Sequence, residues 1–117
     1  MTFLAGIGVA LSLVVPARSD HRPTGVERIK QAITWGFCGH HFRPCEDGNV
    51  AQRIAWCESR YNRFAQNGQF LGLFQMGSRE RSMFGHGPTA WDQAAAANRY
   101  QNTSGWSPWY ASSACWD

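Results

Sequence analysis

The sequence lacks an apolar run long enough to cross a lipid bilayer. Its most apolar stretch, residues 3–15, is shorter than the roughly 20 residues that a membrane-spanning helix needs. A small residue, Ala17, follows at the position expected for a cleavage site, although the usual basic residues before such a stretch are missing. We predict a removable signal peptide over residues 1–17 and no stable membrane insertion, with an uncleaved anchor as the alternative.

Clustered positive charge is also missing. The formal net charge of +3 comes from 11 basic and 8 acidic residues, and the basic residues are almost all arginine and are scattered along the chain. Nucleic-acid-binding domains usually gather their basic residues on one face. We therefore expect no nucleic-acid partner. Internal repeats and heptads are absent too, so the 117 residues predict one domain with one core, over residues 24–117.

The cysteines and histidines lack the spacing of a zinc site. Neither the cysteines nor His40 and His41 form the C-x-x-C or H-x-x-x-H pairs typical of such sites, so we expect no metal and no organic cofactor. An even number of cysteines in an exported chain instead indicates disulfides. Three pairings are open. Our hypothesis joins Cys38 to Cys45 and Cys57 to Cys115, and a zinc site is the alternative.

Capping and periodicity predict two helices in the first half of the domain. After a polar linker over residues 18–23, Thr24 and Glu27 form an S/T-x-x-E capping box. The helix that follows extends to Trp35, with apolar residues at helical spacing that we expect to pack inward: Val26, Ile29 and Ile33. A second helix, capped by Asp47 or Asn49, is predicted to end near Ser59.

The second half predicts a small hairpin and a third helix. The dipeptide Asn67-Gly68 is a tight-turn signal between residues 64–66 and 69–71. Residues 89–92 open an alanine-rich helix that reaches Tyr100 and presents a face to which another helix can pack closely. We expect residues 104–115 to be irregular. The predicted fold class is mostly α, as a compact α+β domain with a small β-hairpin, stabilised by disulfides.

Glu58 is the candidate for acid catalysis. Val50, Ile54 and Glu58 are four residues apart, so the glutamate lies on the apolar stripe of its helix. It also lies at the negative end of the helix dipole, and both features disfavour ionisation. A carboxyl group that holds its proton near neutral pH is what glycosidic cleavage requires. The alternative is a structural glutamate paired with Arg60 or Arg63.

Three motifs around Glu58 resemble the core of the soluble lytic transglycosylases. They are A-W-C-E-S-R-Y-N at residues 55–62, A-Q-N-G at 65–68 and G-L-F-Q-M at 72–76. The resemblance extends from about Val50 to Cys115 and implies a lysozyme-like fold that acts on peptidoglycan glycan strands. It places the catalytic acid and base on Glu58 and substrate contacts on further residues: Ser59, Gln75 and Met76.

The resemblance implies other contacts less directly. Asn67 occupies a position where a small polar residue, often serine, contacts the acetamido group, and Tyr100 matches a tyrosine near the catalytic carboxylate. A cysteine before the catalytic glutamate and another near the end of the domain are also similar to resuscitation-promoting factors, which supports the second disulfide. From the residues alone, Tyr61 is our candidate for stacking on a sugar ring.

A persuasive second carboxylate is missing. A two-carboxylate glycosidase needs a partner for Glu58, but Glu80 lies between arginines in a predicted surface loop and Asp92 in the first turn of a helix. We therefore expect the lytic route, which gives 1,6-anhydro products. The alternatives are a hydrolytic lysozyme, since the predicted fold also resembles the goose-type lysozymes, and a non-catalytic peptidoglycan-binding protein. The expected protein is a monomer, secreted or associated with the cell wall.

Overall fold

A computed structural model describes residues 24–39 and 43–117, so the predicted signal peptide, the linker and the His40–His41 pair lie outside the described residues. The described part is mostly helical with one two-stranded hairpin and two disulfides, which confirms the predicted fold class. The elements are α1 (Gly25–Cys38), α2 (Glu46–Ser59), β1 (Gln66–Asn67), β2 (Phe70–Leu71), α3 (Ser78–Phe84), α4 (Ala90–Ser104), a 3-10 helix (Ser107–Ser112) and α5 (Ser113–Trp116).

The first helix starts where the capping box predicts. The Thr24 hydroxyl accepts the Glu27 backbone N–H at 3.1 Å, and the Glu27 carboxylate accepts the Thr24 backbone N–H at 2.6 Å. The backbone N–H of Thr24 and, to a smaller extent, its hydroxyl lower the pKa of the Glu27 carboxyl group. The predicted inward face is only partly correct, because Ile33 is fully buried whereas Val26 is 47% exposed. The helix also continues through Gly36, beyond its predicted end at Trp35.

Helix α1 packs against both α2 and α4. Its approach to α4 is close enough that a Cβ on Gly36 would lie 2.8 Å from the Cβ of Ala94. Ala94 and Ala97 of α4 are fully buried. The predicted alanine-rich packing face is confirmed, and the missing side chain of Gly36 is what allows α1 to reach it.

Helix α2 begins two residues earlier than an Asp47 cap predicts and four earlier than an Asn49 cap predicts. Its N-cap is Cys45 rather than Asp47 or Asn49, and the sulfur of Cys45 accepts the backbone N–H of Gly48 at 3.3 Å. The disulfide from Cys45 to Cys38 holds that sulfur between the end of α1 and the start of α2. The helix ends at Ser59, as predicted.

The hairpin is present, but its turn is displaced by one residue. Asn67 pairs with Phe70, so the turn residues are Gly68 and Gln69 rather than Asn67 and Gly68. Gly68 has φ +60° at the first turn position, whereas Gln69 has no positive φ. A type II′ turn places glycine at that first position, which explains the displacement.

Two segments predicted as irregular are helical. Residues 78–81, expected as a surface loop, belong to the short helix α3. The tail, expected to be irregular, forms the 3-10 helix and α5. Pro108 lies in the first turn of the 3-10 helix, and Trp109 and Trp116 are buried.

Both predicted disulfides are present, and Cys57–Cys115 joins the last turn of α2 to α5. No helix within residues 24–39 and 43–117 is long and apolar enough to span a membrane.

Candidate active site

A pocket of about 210 Å³ opens where the end of α2, the hairpin and the 3-10 helix meet. Its lining residues are Glu58, Asn67, Phe70, Gln75, Pro108, Trp109 and Ala111. Glu58 is partly exposed there. Cys57, the residue before it, is bonded to Cys115, so the helix end that carries the carboxylate is covalently joined to α5.

Ser112 and two tryptophans form a hydrogen-bond network beside the Glu58 carboxylate. The Ser112 hydroxyl donates to Glu58 Oε2 at 2.6 Å and lies 3.1 Å from the carbonyl oxygen of Trp109. The Trp116 indole N–H lies 3.1 Å from both Ser112 Oγ and the Trp109 carbonyl oxygen. No sequence motif points to Ser112, although the predicted Cys57–Cys115 bond places its segment near Glu58.

Gln75 lines the pocket, and its side-chain oxygen has no hydrogen-bond donor among the residues that the structure describes. Its amide Nε2 lies 3.1 Å from the carbonyl oxygen of Ala65 and 2.9 Å from that of Gly72. A glutamine amide has two N–H donors, and these two backbone carbonyls use both. The side-chain carbonyl oxygen therefore remains as a hydrogen-bond acceptor at the pocket wall.

Asn67 and Phe70 form the hairpin wall of the same pocket. The two residues are cross-strand partners, and because side chains alternate along a strand they share one face of the hairpin. The next pair, Gln66 with Leu71, belongs to the other face. The Phe70 ring is 43% exposed, so an apolar surface is available beside the polar groups. No motif or spacing in the sequence points to Phe70.

The backbone around the pocket adopts conformations that side chains disfavour. Within the described residues, the non-glycine positions with positive φ are Arg60 at 54°, Tyr61 at 61° and Gln75 at 49°. Each costs about 1 kcal/mol or more, and such positions are found most often at functional sites. Gln75 lines the pocket itself, and Arg60 and Tyr61 follow the lining residue Glu58 closely in sequence.

A buried glutamine holds the Gln75 loop against α4. Gln93 is only 4% exposed; its Oε1 accepts the Leu73 backbone N–H at 2.8 Å, and its Nε2 lies 3.0 Å and 2.9 Å from the carbonyl oxygens of Arg63 and Gly87. One side chain thus satisfies three backbone groups from three segments. Its position on the helix gave no sequence signal for this role.

Replacing Gln93 by leucine should lower the free energy of unfolding by roughly 3–5 kcal/mol, because a buried N–H and two carbonyls lose their partners. Urea unfolding measures the change. The matched control is Gln101→Leu on the same helix, since Gln101 Oε1 is buried and finds no partner among the described residues. Equal stability of Gln93→Leu and Gln101→Leu would contradict the role of Gln93.

Two predicted site residues lie outside the pocket lining. Ser59 is 8% exposed, and its hydroxyl donates to the carbonyl oxygen of Ala55 at 2.9 Å, within its own helix. Met76 is 5% exposed, belongs to the main hydrophobic core and pairs with Leu71 in an isolated bridge. Neither side chain lines the pocket.

The two predicted tyrosines also lie away from the lining. Tyr61 packs on Trp56, with ring centres 5.6 Å apart, and burial raises the pKa of its phenol. Tyr100 stacks on Phe84 at 5.0 Å and lies 5.4 Å from Trp109, so one ring separates it from the pocket. Burial, with a smaller contribution from the charge of a nearby glutamate, raises the pKa of Tyr100.

Glu58 is the single carboxylate among the residues that line the pocket. Glu80 belongs to the first turn of α3, and Asp92 to the first turn of α4, where the Thr89 cap accepts its backbone N–H. All four cysteines are in disulfides, which excludes thiolate zinc ligands. No group of three or more His, Cys, Asp or Glu residues within residues 24–39 and 43–117 is placed to hold a metal ion.

A second cavity of about 320 Å³ lies between the hairpin and the start of α4. It is lined by Arg63, Phe64, Ala65, Leu71, Gly72, His86, Gly87, Pro88 and Gln93. Burial, aided by the charge of Arg81, lowers the pKa of His86, whereas Asp92 acts in the opposite direction. None of the predicted site residues lines this cavity.

The structure therefore brings three of the predicted site residues together, Glu58, Asn67 and Gln75. Ser59, Met76, Tyr61 and Tyr100 surround them without reaching the lining. The arrangement offers one carboxyl group, one amide, one amide carbonyl acceptor and an exposed aromatic face. Comparisons of the chain with protein-family models, with curated proteins and with solved structures gave no match.

Proposed function

We propose that the chain cleaves β-1,4 glycosidic bonds between MurNAc and GlcNAc in peptidoglycan, with Glu58 as general acid and then base. The observation that carries this proposal is the convergence of Glu58, Asn67 and Gln75 in one pocket. The three residues come from the three motifs that resemble the lytic transglycosylases. If the three motifs served only packing, we would not expect one residue from each of them to line the same open pocket.

The single carboxylate favours the lytic route over a two-carboxylate mechanism. Glu58 donates its proton to the glycosidic oxygen as the bond from that oxygen to C1 breaks. The resulting carboxylate then takes the proton of the sugar's own 6-hydroxyl while that oxygen bonds to C1. A 1,6-anhydro ring closes, Glu58 recovers its proton, and no water is consumed.

The other lining groups suit an N-acetylated sugar. The free amide carbonyl of Gln75 is an acceptor for an acetamido N–H, and the Asn67 amide offers both a donor and an acceptor. The exposed Phe70 ring offers a face for the apolar C–H side of a pyranose. Two disulfides suit a protein that works outside the cell, in the compartment where its substrate lies.

Hydrolysis is the second candidate, because Glu58 is partly exposed and water can reach it. The two routes differ by one water in their products. Mass spectrometry of the sugars released from purified peptidoglycan should give anhydro fragments, one water lighter than hydrolytic ones. Reducing-end fragments would make the chain a muramidase. Glycan binding without any release would contradict catalysis and leave a peptidoglycan-binding protein.

A further inference from the structure

The Ser112 hydroxyl makes a direct hydrogen bond to the Glu58 carboxylate. It lies where the 3-10 helix meets α5, 54 positions from Glu58 in sequence. No motif or spacing in the sequence connects the two. The inference drawn from this contact rests on the proposed function, because the contact matters most if Glu58 transfers a proton.

The surrounding network directs the Ser112 proton toward Glu58. The hydroxyl has one proton and two acceptors within reach, Glu58 Oε2 at 2.6 Å and the Trp109 carbonyl oxygen at 3.1 Å. A hydroxyl bound to a carboxylate makes the shorter and stronger bond. The Trp116 indole N–H lies 3.1 Å from the same carbonyl and from Ser112 Oγ, so both oxygens have a donor when Ser112 turns to Glu58.

Occupation of Oε2 determines which oxygen of Glu58 carries its exchangeable proton. A protonated carboxyl group has one O–H donor, and the other oxygen remains an acceptor. If Oε2 carried the proton, that proton would compete with the Ser112 hydroxyl proton at the same oxygen. If Oε1 carries it, Oε2 still accepts the hydrogen bond from Ser112. We infer that Ser112 is a positioning residue that holds the Glu58 carboxyl group by Oε2 and leaves Oε1 to exchange protons with the substrate.

The segment that carries Ser112 is itself fixed to α2. Cys115, one helical turn after Ser112, is bonded to Cys57, the neighbour of Glu58. Arg53, one turn earlier in α2, donates from Nε to the carbonyl oxygen of Trp116 at 2.9 Å. The disulfide and the Arg53 hydrogen bond both join α5 to α2. The distance from Ser112 to Glu58 therefore does not depend only on the hydrogen bond between those two residues.

Steady-state kinetics on a soluble peptidoglycan tetrasaccharide test the inference. Ser112→Ala should lower kcat by roughly 10- to 100-fold, the value of one hydrogen bond to a charged group, while KM changes by less than about twofold. Ser112→Thr retains the hydroxyl and should restore most of kcat. The control Ser107→Ala removes a hydroxyl that bonds the Ser104 carbonyl oxygen on the same 3-10 helix, and should behave as wild type. Wild-type kcat in Ser112→Ala, or no rescue by threonine, would overturn the inference.

A second measurement does not depend on turnover. Side-chain NMR couplings of Glu58, assigned by the loss of its signals in Glu58→Gln, should report one rotamer in the wild-type protein and rotamer averaging in Ser112→Ala. Identical couplings in the two proteins would overturn the inference even if the wild-type protein cleaves glycan. A wild-type protein that cleaves nothing but shows the rotamer difference would instead overturn the proposed function and leave Ser112 as a positioning residue.

Discussion

Replacing Glu58 by glutamine should abolish glycan cleavage, with a loss of at least about 100-fold, while the fold and glycan binding persist. The amide has nearly the same shape as the carboxyl group and still accepts the Ser112 hydrogen bond, but it has no proton of suitable acidity to donate. Release of soluble sugars from purified peptidoglycan measures the loss, and calorimetric titration with a glycan fragment measures the binding.

The matched control for this variant is Glu80→Gln. It removes a carboxylate of the same size from the first turn of α3, outside the pocket lining. We expect Glu80→Gln to cleave at the wild-type rate. If Glu58→Gln retained full turnover, or if Glu80→Gln lost as much, the assignment of Glu58 as the proton donor would be wrong.

Removing the Cys57–Cys115 disulfide should both destabilise the protein and reduce its activity. In the chain-entropy model, a bridge over 58 positions contributes about 4 kcal/mol to the free energy of unfolding, which for a domain of this size corresponds to a fall in Tm of roughly 15–30 °C. The double variant Cys57→Ser with Cys115→Ser also frees the helix end that aims Glu58. Thermal unfolding and sugar release below the lowered Tm measure the two effects.

The other disulfide provides the comparison. Cys38–Cys45 spans 7 positions and lies at the junction of α1 and α2, at the opposite end of α2 from Glu58. Its double serine variant should lose about 2–3 kcal/mol in the same model and retain its activity in the folded state. Equal losses of activity in the two double variants would indicate that Cys57–Cys115 has no specific role in aiming the carboxylate.

Local signals in the sequence predicted the helices that have them. The capping box of Thr24 and Glu27 and the end of α2 at Ser59 both follow from short-range hydrogen bonding and periodicity. Helix α3 carries no such signal, because its N-cap Gly77 makes no side-chain hydrogen bond and none of its residues is buried. The helical tail was missed for a related reason, since Trp109 and Trp116 pack by tertiary contact rather than by a regular repeat.

The candidate site was predictable only as far as its motifs reach. The apolar stripe and the resemblance both pointed to Glu58, whereas the resemblance alone pointed to Asn67 and Gln75. The orientation of the Gln75 amide depends on the carbonyl oxygens of Ala65 and Gly72, which no pattern predicts. Contacts between distant segments, such as that of Ser112 with Glu58, require the fold.

The most direct test of the central claim is the position of a bound peptidoglycan tetrasaccharide in a crystal structure of Glu58→Gln. We expect a glycosidic oxygen within hydrogen-bond distance of the residue 58 amide, with an acetamido group against Gln75 and a sugar face on Phe70. A fragment bound instead in the second cavity, which Arg63 and His86 line, with the pocket around residue 58 empty, would contradict the assignment of Glu58 as the catalytic residue.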